Sequence, residues 1–110
     1  MVQDKISRLE AKIREADSIN DKKKAELLQL LSSLKSEIEE LSKTNSEQAE
    51  SITGFAKISA YEAMRKQKNQ KLLDLSLEGF SSSVKELETS HPKLVNAVNS
   101  ICNFLSNIGI

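Results

Sequence analysis

The chain has no tryptophan and, among 110 residues, only one cysteine, one proline, one histidine and three glycines. Each shortage removes a class of protein. A single thiol cannot close an internal disulfide, so a small cross-linked secreted scaffold is excluded. One histidine and one cysteine lack the spacing of a zinc site, and carboxylates would have to supply most ligands of any metal centre. No metal and no cofactor are expected. Glycine and proline are too scarce to turn the many hairpins of a β-sandwich or barrel. Charge of one sign is missing too: sixteen basic residues balance sixteen acidic ones, unlike the basic field of a typical nucleic-acid binder. Phosphate-cradling glycine loops and the H-E-x-x-H pattern are absent, and no polar pocket can be assembled, so an enzyme is not expected. The longest uncharged stretch, the seventeen residues from Leu94 to Ile110, contains six Asn or Ser, whereas a membrane span needs about 20 mostly apolar residues. The start Met1-Val2-Gln3-Asp4-Lys5 places charges where a signal peptide carries its apolar run, so a cytoplasmic location is expected.

What remains is a single domain over residues 1–110 that is rich in helical pattern. Val2, Ile6, Leu9, Ile13 and Ala16 step four, three, four, three, which keeps them on one side of a helix. Ser18 and Asp21 have capping-box spacing and predict a second start. Leu27, Leu31, Leu34, Ile38 and Leu41 repeat the stripe, widened by Leu28 and Leu30. One unbroken helix from Val2 to Lys43 is the alternative. Asn45 with Gln48 predicts the cap of a third helix, whose stripe of Ala49, Thr53, Ala56, Ala60 and Ala63 uses small side chains only. With Ile52, Phe55, Ile58 and Met64 beside it, this helix is apolar around more than half its circumference, which predicts a central position and the closest helix packing. Asn69 caps the fourth helix, with Leu73, Leu77, Phe80, Val84 and Leu87 as its stripe and Leu72 and Leu75 on the flank. Pro92 separates it from a fifth helix carrying Leu94, Val98, Ile101, Leu105 and Ile108. Gly109 is expected to cap that helix, with Ile110 folding back. The fold class is therefore all-α: an elongated antiparallel bundle of about five helices with coiled-coil-like heptad stripes, over about 2–16, 19–43, 47–66, 70–90 and 92–108.

Local charge singles out two surfaces. Residues 92–110 carry only Lys93, and Asn96, Asn99, Asn103 and Ser106, flanked by Ser100 and Asn107, run along the side of helix five opposite its stripe. Uncharged amides can pair across an interface without the cost of burying a charge, and interface cores are depleted of charge. This face is the expected protein interface, with a second copy, in a dimer, as the favoured partner. The plain reading is a wet face that lacks charges. Residues 65–71 hold Arg65, Lys66, Lys68 and Lys71 and no acid, which makes an anion or nucleic-acid site the alternative to a solvated connection. No aromatic residue is interleaved there to stack bases. Cys102 lies beside the apolar stripe, where a free thiol behaves as a small hydrophobe rather than a nucleophile paired with His91; His91 is expected to serve the turn before helix five. Gly54 and Gly79 interrupt helices, and Ser76, Gly79 and Ser83 share one side of helix four, which predicts a close helix contact there.

Three segments resemble a bacterial family of short proteins known as a domain of unknown function. They are Ala49-Glu50-Ser51-Ile52-Thr53-Gly54-Phe55-Ala56 with Ser59-Ala60-Tyr61-Glu62-Ala63, Leu72-Leu73-Asp74-Leu75-Ser76-Leu77-Glu78-Gly79, and the tail from Ser90-His91-Pro92-Lys93-Leu94-Val95 through Asn99 and Ile101 to Leu105-Ser106-Asn107-Ile108-Gly109-Ile110. The likeness covers essentially the whole chain and is specific over residues 49–110. Similar sequences carry His at the position of Tyr61 and Pro at that of Gln70. The first departure leaves a metal or acid-base role there unsupported; the second agrees with a helix start near Gln70. The resemblance implies a small helical cytoplasmic protein and no particular activity. The function expected is that of a helical interaction or scaffolding module that self-associates.

Overall fold

The computed structural model describes residues 2–108, with side chains from Asp4 onward. It contains α1 (Val2–Glu15), α2 (Asp21–Ser42), α3 (Ser46–Met64), α4 (Gln70–Ser82), a 3₁₀ turn at Lys85–Leu87 and α5 (Pro92–Asn107). No strand occurs among the described residues. The expected roles of Gly109 and Ile110, and of the Val2 side chain, lie outside what is described.

Asparagine starts three of the helices. Its short side chain accepts a hydrogen bond from a free amide of the first turn: Asn20 from Lys23 N (2.8 Å), Asn45 from Gln48 N and Asn69 from Leu72 N (both 3.1 Å). The expected Ser18–Asp21 box is therefore corrected, and α2 begins at Asp21 rather than Ile19. Ser18 instead donates to the Met64 carbonyl at the end of α3 (3.0 Å), and Ile19 is buried as a plug between α1 and α2. Gln48 does not reach back to the cap either. Its amide donates to the Ser83 carbonyl (2.6 Å), joining the start of α3 to the end of α4.

Helix four, expected to run to about Ser90, ends at Ser82. The serine run Ser81-Ser82-Ser83 is the reason, because serine hydroxyls compete for backbone groups. Ser83 Oγ donates to the Phe80 carbonyl (2.6 Å), and the Ser83 N–H is shared between the Gly79 and Phe80 carbonyls (2.9 and 3.2 Å). The chain then tightens into the 3₁₀ turn. Val84 stays buried and Leu87 half-buried, because a step of three keeps two residues on one side in either kind of helix.

The stripes supply the core. Ile6, Leu9 and Ile13 of α1, Leu27, Leu31, Leu34, Ile38 and Leu41 of α2, Leu73 and Phe80 of α4, and Leu94, Val98, Ile101 and Leu105 of α5 are all buried. Around α3, Ala49, Ile52, Thr53, Ala56, Ser59, Ala60 and Ala63 are buried together. α3 packs on each of the other four helices, most extensively on α4, as its wide apolar arc predicts. Lys35 reaching Ser7 and Glu10 (2.9 and 3.5 Å), with Lys24 on the Arg14 carbonyl (3.1 Å), sets α1 and α2 antiparallel. The Ser59–Ser76 hydrogen bond (3.1 Å) and the Phe55–Gly79 contact do the same for α3 and α4. The expected elongation is mild: the extents are 37 × 25 × 19 Å and the radius of gyration is 13.0 Å, close to that of an ordinary globule of this length.

Candidate functional site

The α5 face is laid out as its spacing requires. Asn96, Asn99, Ser100, Asn103, Ser106 and Asn107 are all exposed, opposite the buried Leu94, Val98, Ile101 and Leu105. Ser106 Oγ and Asn107 Nδ2 both turn back to the Asn103 carbonyl (2.9 Å each). At Pro92 the helix opens with no side-chain cap; His91 precedes it, pairing its Nδ1 with Ser90 Oγ (3.0 Å). Cys102 turns the other way, its thiol facing the Leu77 carbonyl of α4 (3.9 Å). Burial pushes that thiol up to about 11, so thiolate is scarce at neutral pH and the sulfur acts as packing.

Arg65, Lys66, Lys68 and Lys71 of the basic turn are all exposed. Arg65 pairs with Glu62 one turn back (3.0 Å). The first three lie between α3 and α4, and Lys71 lies in the first turn of α4.

Two surfaces escaped the sequence reading. On α3, Phe55 and Ile58 are three apart; on α4, Leu72, Leu75 and Gly79 step three and four, so each set forms one stripe. The Phe55 ring lies so close to Gly79 that a Cβ there would stand 2.5 Å from it, and the two stripes therefore border a single seam. At the outer margin of this seam Ile58 is 51% exposed, Leu75 53% and Leu72 42%. These are the large apolar side chains that the described fold leaves in water. The sequence signal was the flank position of Leu72 and Leu75, and it was indistinct because the flank residues Leu28 and Leu30 of α2 are partly covered.

The second surface adjoins the first on α3, since Ile58 lies one turn from Gly54 and from Tyr61. Lys5, Arg8, Leu9 and Lys12 of α1 and Thr53, Gly54, Lys57 and Tyr61 of α3 line a groove of about 480 Å³. A neighbouring cleft of about 330 Å³ shares Lys12 and Tyr61 and adds Met64 and Arg65. Lys12 and Lys57 hold their ammonium groups 5.4 and 5.7 Å from the centre of the Tyr61 ring, within cation–π range. Lys5 stands 4.0 Å from Glu50, both half in water. The spacing of Lys5, Arg8 and Lys12 by three and four is visible in the sequence. The even balance of bases and acids over residues 1–43 masked it.

No described helix is long and apolar enough to cross a membrane. No curated protein and no solved structure matches the chain. A family model matches residues 27–110, which takes in α2 from Leu27 onward and α3 to α5 and leaves α1 outside. The apolar seam and the amide face thus both fall within the matched region, as does most of the core, and the chain belongs to the family described as domain of unknown function DUF4404.

Proposed function

We propose that this protein is a helical interaction module that associates with a second copy of itself. The observation that supports it is the apolar margin of the α3–α4 seam, where Ile58 and Leu75 are each about half exposed. Removing adjacent apolar side chains from water is the main drive for association. Two features favour a second copy as the occupant. The chain carries no net charge to hold copies apart. Lys71, Asp74 and Glu78, exposed on α4 near the seam, give the rim both signs, so a two-fold arrangement can set unlike charges together. The amide face of Asn96, Asn99, Asn103 and Ser106 belongs to the same reading, because each amide both donates and accepts and can therefore meet its own kind.

Solution mass by light scattering after gel filtration tests this at low and high salt. A salt-resistant dimer or larger species is expected, and Ile58→Lys with Leu75→Lys should yield a monomer of unchanged helix content. If Asn99→Lys alone dissociates the protein, the contact lies on α5. A monomeric wild-type chain at both salts would sink self-association. A second reading, binding of nucleic acid or another polyanion by Arg65, Lys66, Lys68 and Lys71, is favoured by their exposure in a stretch without acids. It requires a gel shift at low salt that disappears steeply as salt rises.

A further inference from the structure

The α1–α3 groove gathers four cationic side chains from two helices. Lys5, Arg8, Lys12 and Lys57 line it, and Glu50 stands 4.0 Å from Lys5. Among the described residues no carboxylate pairs with Arg8, Lys12 or Lys57. Neighbouring like charges repel, and the Tyr61 ring beside Lys12 and Lys57 works against that repulsion. Gly54 adds a second observation. A glycine inside a helix weakens it, and at Gly79 the Phe55 contact explains the choice, but a Cβ at Gly54 would meet nothing within 4 Å. Gly54 lines the groove, so a longer side chain there would extend into its open space.

We propose that this groove binds a small ligand through a short polyphosphate chain, with Arg8, Lys12 and Lys57 donating to phosphate oxygens. Lys5 to Lys12 is two helical turns, about 10 Å along α1, so a chain of a few phosphates can run beside them and be met from α3 by Lys57. Guanidinium and ammonium groups are the usual partners of phosphate oxygens. The volume lies in the range of small-molecule sites. A long nucleic acid fits less well, because the net charge of the chain is zero. The basic turn is a separate surface, touching this one only where Arg65 lines the adjoining cleft.

The protein contains its own reporter, since Tyr61 is the sole tyrosine, tryptophan is absent, and Tyr61 lines the groove. Titrating inorganic triphosphate into the full-length chain at low salt should change Tyr61 emission saturably and raise the melting temperature. Lys12→Gln with Lys57→Gln, both exposed positions, should weaken binding at least tenfold with helix content unchanged. Gly54→Leu should abolish it by filling the groove. Lys66→Gln with Lys68→Gln should leave it within twofold. ATP in place of triphosphate tells a nucleotide from a bare phosphate chain: equal affinity means that the phosphates alone are held, tighter binding that the nucleoside contributes. Absence of a saturable change overturns the proposal. So does an equal loss from the Lys66/Lys68 variant, or tighter binding of a single-stranded oligonucleotide that competes with triphosphate.

Discussion

Gly54 and Gly79 lie in the middles of neighbouring helices and answer differently to the same substitution. Alanine is worth about 1 kcal/mol more than glycine in a helix interior. At Gly54 nothing stands in the way, so Gly54→Ala should stabilise the fold by about that amount in urea denaturation. At Gly79 the added methyl would press on the Phe55 ring, and overpacking costs about 1–3 kcal/mol. Gly79→Ala should therefore destabilise the wild-type chain and stabilise a Phe55→Ala background, a change of sign that a double-mutant cycle reads directly. Cys102 gives the residue scale a pH dependence. Its thiol is held up at about 11, against an ordinary value of 9.0, by burial, so the folded chain keeps its proton where the unfolded chain has begun to lose it. Alkylation of native Cys102 should lag that of the denatured chain between pH 7 and 9, and any stability linked to this group should be intact below pH 9 and fall as pH rises towards 11. Equal alkylation rates would contradict the burial.

At the scale of elements, caps and breaks decide where each stripe is used. Asn20, Asn45 and Asn69 each close a first turn, and replacing any one by alanine should cost about 1 kcal/mol. Asp21→Ala should cost less than Asn20→Ala when both are followed by thermal unfolding, since Asp21 is not the cap. Helix number, order and buried faces were legible in the sequence because Leu27 to Leu41 and Leu94 to Leu105 each hold a single spacing through a whole element. The end of α4 was not. Val84 and Leu87 continue the spacing across a change from α to 3₁₀ geometry, and the Gln48 amide that ties down Ser83 arrives from 35 residues away. The exposed amide face of α5 was legible for the same reason as its stripe, being that stripe's opposite side. Neither the apolar seam nor the basic groove was, because each is assembled from two helices that are separate in the chain, and a stripe on one helix does not say which stripe it will meet.

At the scale of the whole molecule, α1 stands outside the family match yet inside the core. Ile6, Leu9 and Ile13 are buried against α2 and α3, and each such side chain is worth about 1.5–3 kcal/mol in burial. A chain beginning at residue 18 should lose several kcal/mol in urea denaturation, a large part of the roughly 5–15 kcal/mol of a typical domain. Undiminished stability would show α1 to be an ornament on the bundle. The contact of α2 with α5 bears on how the protein is made. Synthesis delivers α2 well before α5, so the growing chain carries an uncovered side of α2 until residues 92–107 leave the ribosome. Over that interval the nascent protein has a sticky flank, and a chain cut short in the 3₁₀ turn would be a fragment suited to capture by chaperones or proteases.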